Sequence, residues 1–207
     1  MSDRTSPNSN HHRLPPVKEG LGEWLFRHRT ALPLPIAAAI LLIPTGNTGP
    51  LLLPALGVAI TLGGEGIRLW GVRHIGAISR TRSERLGPLV DSGPFALVRN
   101  PLYIGNVLLW VGFALTARLW WLAPAVFAVL ALEYRYIVRW EEQLLTQRMG
   151  EPYRDYLTRV PRWIPGSTRG AHGRSIAFSW RETVFSERGT LIAMAFGYLL
   201  LWAKARF

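Results

Sequence analysis

The sequence predicts an all-α integral membrane protein with about five transmembrane or re-entrant helices arranged as hairpins. Three observations carry that prediction. The 207 residues are 49% hydrophobic yet bear a net charge of +11, a pairing that a single soluble core accommodates poorly. Apolar runs alternate with Arg-rich stretches, the segregation expected of lipid-facing and headgroup-facing sequence. Finally, the Lys and Arg residues fall almost entirely on alternate loops.

The elements follow in chain order. Residues 1–30 are polar and basic, include His11 and His12, and lack the apolar core and cleavage site of a secretory signal. They are expected to form a flexible cytoplasmic tail leading into an interfacial segment at Trp24, Leu25 and Phe26, with one membrane domain from residue 31 to 207. Ala31 to Ile43 and Leu51 to Leu62 flank the turn-rich Pro44 to Pro50 and read as a helical hairpin. A span needs roughly 20 residues, so the first helix must borrow from Trp24 to Thr30 and the second must run through Glu65 and Arg68 to Trp70. Glu65 and Arg68, three apart, are expected to pair. Leu102 to Ala117 and Leu119 to Leu132 form a second hairpin with only Arg118 between them, a link short enough to hold the two helices antiparallel and in contact. Thr190 to Ala203 is a short final apolar segment, spanning or re-entrant.

Basic residues near span ends are retained in the cytoplasm. The stretches before Ala31, from Arg68 to Arg99 and from Arg135 to Arg188 hold 21 Lys and Arg, against 3 in the intervening turns and the C-terminal tail. The long loops are therefore expected to be cytoplasmic. With no cysteine, there is neither a disulfide framework nor a thiolate metal site. A nucleic-acid binder would be as basic but would not need runs approaching a bilayer's thickness. No paired histidines at metal spacing, nucleophile motif or phosphate-binding loop is present, which removes hydrolase and kinase readings.

Chemistry concentrates in residues 86–165. In the loop from Leu86 to Tyr103, Gly87, Pro88, Gly93 and Pro94 let the backbone turn and approach a ligand, and Pro101 suits the first turn of a helix. Unpaired N–H groups at such a start can receive a ligand; an interfacial loop with Arg99 at the headgroups is the plain alternative. Glu133 to Pro165 continues the fourth span as a helix. There Arg135, Arg139 and Glu142 share one face, so Glu142 is expected to form a structural ion pair, whereas Glu141 shares a face with Tyr134 and Ile137 and has no basic partner. An unneutralised carboxylate near an apolar boundary is costly unless a ligand meets it, and a solvated helix face is the alternative. His74 reads equally as a headgroup contact or a base.

These residues resemble the isoprenylcysteine carboxyl methyltransferase family and the related phospholipid methyltransferases. The pattern is Leu89-Val90, Ser92-Gly93-Pro94-Phe95, Val98-Arg99-Asn100-Pro101-Leu102-Tyr103-Ile104-Gly105, then Arg139, Glu141-Glu142, Leu145, Gly150, Tyr153, Tyr156, Val160-Pro161-Arg162 and Ile164-Pro165, about 77 residues in the family's order. The resemblance implies a helical membrane core with an S-adenosylmethionine site facing the cytoplasm. It implies cofactor contacts at Leu89, Val90, Phe95, Asn100, Pro101, Leu102, Tyr103 and Glu141, with Arg139 and Glu142 as catalytic-site residues, Arg139 holding the substrate. Asn100 stands where the family commonly has His, and Phe95 where it commonly has Tyr. Asn cannot titrate near neutrality, so a histidine base is lost at that position; Phe95 keeps a stacking surface without the hydroxyl.

Methyl transfer to a carboxylate needs alignment and desolvation but no base, because a carboxylate is already ionised at pH 7. The expected partners are thus a lipophilic or lipidated carboxylate acceptor and membrane lipids, with no nucleic acid and no metal. An amine or phospholipid N-methyltransferase shares the cofactor site, and an NADPH-dependent reductase of the sterol reductase type has a similar C-terminal region. A non-catalytic membrane protein is the remaining reading.

Overall fold

The computed structural model describes residues 20–44, 51–76, 89–166 and 178–206, which form eight helices and no strand. Residues 1–19 of the expected tail, most of the turn after Ile43, and Leu86 to Pro88 lie outside the described residues. The helices are α1 (Leu21–His28), α2 (Leu34–Leu42), α3 (Leu52–Ile75), α4 (Pro94–Leu97), α5 (Pro101–Thr116), α6 (Leu122–Met149), α7 (Glu151–Arg159) and α8 (Trp180–Lys204).

The first expected span is not one helix. α1 ends at His28 and α2 begins after Pro33, with a turn between them. Proline lacks an N–H and crowds the preceding turn, so Pro33 cannot continue α1 and instead opens α2, with Pro35 in its first turn. α2, only nine residues long, rests on α5 and α8, while α1 lies along α6. The second helix runs as expected past Trp70, and Arg68 Nε donates to Glu65 Oε2 at 3.3 Å. The final segment begins ten residues before Thr190. Ser179 and Glu182 form a reciprocal capping box that starts α8 at Trp180, a signal present in the sequence as Ser-x-x-Glu ahead of an apolar run.

α3 and α8, with 24 and 25 residues, are long and apolar enough to cross a bilayer. The expectation of about five spans reaches further than this. α5 is apolar but has 16 residues. α6 is unbroken over 28 residues, but Glu133, Arg135, Arg139, Glu141 and Glu142 make its second half polar. Its length of roughly 42 Å at 1.5 Å per residue exceeds the apolar stretch it carries.

The most extensive packing is α3 against α5. Gly57, Gly64 and Gly71 repeat every seven residues on α3 and face Gly105, Gly112 and Leu102 on α5. Small residues at that spacing let two helix backbones come together. The α5–α6 hairpin is closed by a Schellman motif: Leu119 N–H donates to the Ala114 carbonyl and Arg118 N–H to that of Leu115, both at 2.9 Å. Arg118 occupies the left-handed position at φ 61°, where glycine is usual. Leu119, Leu130, Ile137 and Ala114 are the centre of the main core, which α1, α2 and α8 complete. A second, smaller core of Tyr153, Tyr156 and Val160 packs with Leu89, Leu145 and Leu157 beyond the end of the bundle.

Candidate functional site

Pro101 starts α5 with Asn100 at the N-cap, as its missing N–H and fixed φ favour. Two residues on, the Tyr103 hydroxyl donates to Glu141 Oε2 at 2.8 Å, and the Tyr103 ring stacks on Tyr134 at 4.6 Å. Glu141 is partly buried. This pair joins two of the expected cofactor residues across the α5–α6 interface, and it supplies the partner for Glu141 that its own helix face lacks.

Glu142 points about 100° away around the helix and meets different groups. Arg99 Nη1 donates to its Oε1 at 2.7 Å, while Arg162 donates through Nε to Oε1 at 3.0 Å and through Nη2 to Oε2 at 2.5 Å. Arg99 also donates to the carbonyls of Val160 at 2.6 Å and Leu157 at 3.1 Å. The ion pair foreseen at Glu142 exists, but not with Arg135 and Arg139, both of which are exposed on α6. Residues that share a helix face compete with long-range partners, and here a carboxylate buried among 99–162 contacts has recruited arginines from a loop on either side of it.

Asn100 Nδ2 donates to the Arg162 carbonyl at 3.3 Å, and Arg99 N–H to that of Pro161 at 2.9 Å. The 160–162 segment is thereby strapped along the loop that precedes α5. Phe95 lies in the short α4 and is buried, and its carbonyl accepts from the Tyr156 hydroxyl at 2.8 Å. Leu89 and Val90 are half-buried, Leu89 packing against the Tyr153–Tyr156 core. Gly93 turns the loop at φ 59°, and a Cβ there would lie 2.4 Å from the His74 ring. His74 therefore packs on the loop, and its Nδ1 lies 2.9 Å from the Trp70 carbonyl.

Leu102, Tyr103, Glu141 and the 89–100 loop thus gather at one end of the α5–α6 hairpin. Arg139 does not join them: two residues before Glu141, it lies about 200° around α6 on the exposed side. Three features escaped sequence reasoning. Arg162 stands in the matched pattern but was given no role. Asp91 Oδ1 and Ser92 Oγ are buried with no hydrogen-bond partner. Arg29, at the end of α1, exerts its charge on Glu141, and nothing local in the sequence ties α1 to that helix. A cleft of about 520 Å³ lies elsewhere, between α3 and α8, where Val72, Phe178, Thr183 and Phe185 line it.

Residues 52–151 match the family model described as phospholipid methyltransferase, the family that includes the isoprenylcysteine carboxyl methyltransferases, which bears out the resemblance read from the motifs. The chain is 28% identical over 153 residues to a nickel-cobalt-cadmium resistance protein, NccN, of Alcaligenes xylosoxydans xylosoxydans, covering 70% of this chain and 68% of that protein. It is 34% identical over 111 residues to a cobalt-zinc-cadmium resistance protein, CzcN, of Cupriavidus metallidurans, covering 51% and 49%. No solved structure matches. Among the described residues, no group of three or more His, Asp or Glu could hold a metal ion.

Proposed function

We propose, starting from the match of residues 52–151 to the phospholipid methyltransferase family model, that this chain transfers a methyl group from S-adenosylmethionine to the carboxylate of a lipophilic, isoprenylcysteine-like acceptor. The observation that carries the reading is the 2.8 Å hydrogen bond from Tyr103 to Glu141, beside a loop in which Asp91 Oδ1 and Ser92 Oγ are buried without partners, the other Asp91 oxygen pairing with Arg159. Such a lining suits a ligand with amine and hydroxyl groups and a cationic centre. S-adenosylmethionine, when bound, supplies an electrophilic methyl group on a positively charged sulfur.

In this reading Glu141 provides the counter-charge. Leu89, Val90 and Phe95 form apolar wall, and the first turn of α5 offers the backbone N–H groups of Asn100, Leu102 and Tyr103, with Pro101, which has none, fixing the turn and adding apolar contact. Glu142 acts as a positioning residue, because Arg99 and Arg162 occupy both of its oxygens and tie α6 to the loop. That leaves it unable to serve as a base, which favours an acceptor that needs none. Arg139, exposed on the far side of α6 from Glu141, has no part in holding the acceptor in this reading. The charge bias along the chain supports a multi-pass membrane domain over residues 31–207, with α3, α5, the first half of α6 and α8 crossing and the site facing the cytoplasm.

Cofactor binding to the purified protein in detergent tests the proposal. Charge-assisted hydrogen bonds are worth roughly 1.5–3 kcal/mol, so Glu141→Gln is expected to weaken binding about 10- to 100-fold. No measurable binding by the wild type sinks the proposal.

A pH dependence follows. Burial pushes the Glu141 carboxyl from 4.5 to about 7, with the Tyr103 hydrogen bond opposing. With a raised value, the folded chain retains a proton that the unfolded chain has lost, so this group's stabilisation is present in acid and disappears as pH rises through about 7. Cofactor affinity runs the other way, because a cation needs the ionised carboxylate. Affinity is expected to rise several-fold between about pH 6 and pH 8 and to stay flat in Glu141→Gln.

The same near-neutral carboxyl favours a second reading, N-methylation, in which Glu141 takes the proton that an ammonium acceptor must lose before it attacks. Incubation of membranes with methyl-labelled cofactor separates the two. Label released from lipid by mild base marks an ester, and retained label an N-methyl product.

A further inference from the structure

Between Val129 and Gln143, α6 is exposed only at Val129, Leu132, Arg135, Tyr136, Arg139 and Gln143. Steps of three and four residues keep these on one side of the helix, while Leu130, Ile137 and Val138 on the other side are fully buried. The stripe changes character along its length. It is apolar at Val129 and Leu132, which are 55% and 57% exposed, and becomes basic at Arg135 and Arg139, with the half-open Tyr136 between them.

Trp120 and Trp121, exposed at the opposite end of α6, suit the far headgroup layer. From Trp121, Arg135 lies roughly 21 Å and Arg139 roughly 27 Å along the axis at 1.5 Å per residue, against a hydrocarbon core of about 30 Å. The two guanidinium groups therefore leave the helix at the inner edge of the bilayer, where long basic side chains reach into the headgroup layer. Neither arginine forms a hydrogen bond or ion pair with another described residue. Glu142, the acid nearest to them by helical spacing, is held by Arg99 and Arg162 instead. Like charges one turn apart repel, and their Cβ atoms, about 5–6 Å apart, let both side chains close on one group. The complement of two guanidinium forks at that depth is a phosphate oxyanion, and the complement of Val129 and Leu132 below it is hydrocarbon. One molecule offers both.

We propose that Arg135 and Arg139 bind the phosphate of an anionic phospholipid whose acyl chains run along Val129 and Leu132. A lipid of net negative charge fits better than a zwitterionic one, whose own ammonium offsets the phosphate. The site rests on the reading above that the first half of α6 lies in the bilayer; it does not depend on methyl transfer. A lipid held there fixes the depth of α6, and so keeps Glu141, roughly 3 Å further along the axis, level with the headgroups.

Two measurements on the full chain test this. The chain has no cysteine, so Leu132→Cys places a single fluorescent label on the stripe, and in phosphatidylcholine nanodiscs spin-labelled lipid is expected to quench it. Purified protein in detergent is then titrated with dioctanoyl phosphatidylglycerol, dioctanoyl phosphatidylcholine and glycerol 3-phosphate. Wild type is expected to bind the phosphatidylglycerol about tenfold or more tighter than either other probe. Arg135→Gln and Arg139→Gln should each weaken that binding about fivefold, and together about thirtyfold. Replacing both by Lys should restore part of it, since Lys keeps the charge without the fork. Arg154→Gln, which removes an exposed charge paired with Glu151 on α7, should leave it intact, and thermal unfolding checks that each variant is folded. Equal affinity for the two lipids overturns the site, as does an equal loss in Arg154→Gln, which would reduce the pair to general surface charge. Glycerol 3-phosphate binding as tightly as phosphatidylglycerol also overturns it, since the hydrocarbon would then contribute nothing. A label at Leu132 beyond reach of the quencher, as a covering protein surface would leave it, overturns both the site and the placement of α6 in the bilayer. Quenching without a preference for the anionic lipid overturns the site alone.

Discussion

Glu142→Ala is expected to destabilise the protein by about 3–5 kcal/mol, the range for removing one partner of a buried ion pair. The size follows from what remains behind. Glu142 has 10% of its side chain exposed and Arg99 15%, so truncation leaves a guanidinium facing a largely dry void. Arg162, 34% exposed, can turn toward solvent, which places the expected loss nearer 3 than 5 kcal/mol. Arg99 keeps its bonds to the Val160 and Leu157 carbonyls, but the link from α6 to the 99–100 turn and the 157–162 strap is broken. Thermal unfolding in detergent gives the stability change, and cofactor titration gives the functional one. Cofactor affinity should fall together with stability, whereas Glu141→Gln should lose affinity and keep stability near wild type. Equal thermal midpoints for Glu142→Ala and wild type would show that the clamp contributes nothing to the fold.

A single methyl group should separate α3 from α5. In Gly112→Ala the new Cβ would lie 2.2 Å from Thr61 Oγ1, 2.7 Å from the Gly57 carbonyl and 2.8 Å from Thr61 N. Two of these are backbone atoms of a helix, which cannot rotate out of the way as a flexible side chain can. Thr61 is also fixed, because its hydroxyl donates to the Gly57 carbonyl at 3.0 Å. Overpacking costs typically about 1–3 kcal/mol, and a clash with backbone belongs at the upper end. The helices can relieve it only by moving apart, and that would carry the start of α5, and with it Tyr103, away from Glu141. Gly63 and Gly66 meet nothing within 4 Å, so Gly63→Ala and Gly66→Ala should be neutral or stabilise by a fraction of a kcal/mol through helix propensity. Thermal midpoints of the three variants make the comparison. Similar midpoints for Gly112→Ala and Gly63→Ala would rule out close α3–α5 contact.

How much of this was legible beforehand depended on the reach of each interaction. The start of α5 was readable because Pro101 acts on its own residue, and the Glu65–Arg68 pair because its members are one turn apart. The unbroken α6 followed from uninterrupted helix-forming sequence, and the tight α5–α6 turn from the absence of residues to make a longer one. The start of α8 was legible too, in Ser179 and Glu182, although the apolar run alone concealed it. The break between α1 and α2 was written in Pro33. Bilayer length argues the other way, since only the two segments joined would reach a full span.

The sequence by itself determined a basic, helical chain with a motif pattern resembling the phospholipid methyltransferases, whose family model its residues 52–151 match, and with its candidate cofactor residues in the 89–103 stretch and on the α6 turn at Glu141. Those features rest on local geometry, on composition and on residue patterns held close along the chain. Tertiary structure alone decided which partner each charged residue has. Glu142 took Arg99 and Arg162, 43 and 20 residues away, instead of the arginines on its own helix, and Glu141 took Tyr103, 38 residues away. It also decided that the glycines at seven-residue spacing on α3 and α5 face one another, and that Arg29 approaches the turn bearing Glu141. Helical periodicity fixes the direction in which a side chain leaves its own axis, but not which other axis lies there; that is set by backbone approach, and here by the few glycines that allow it.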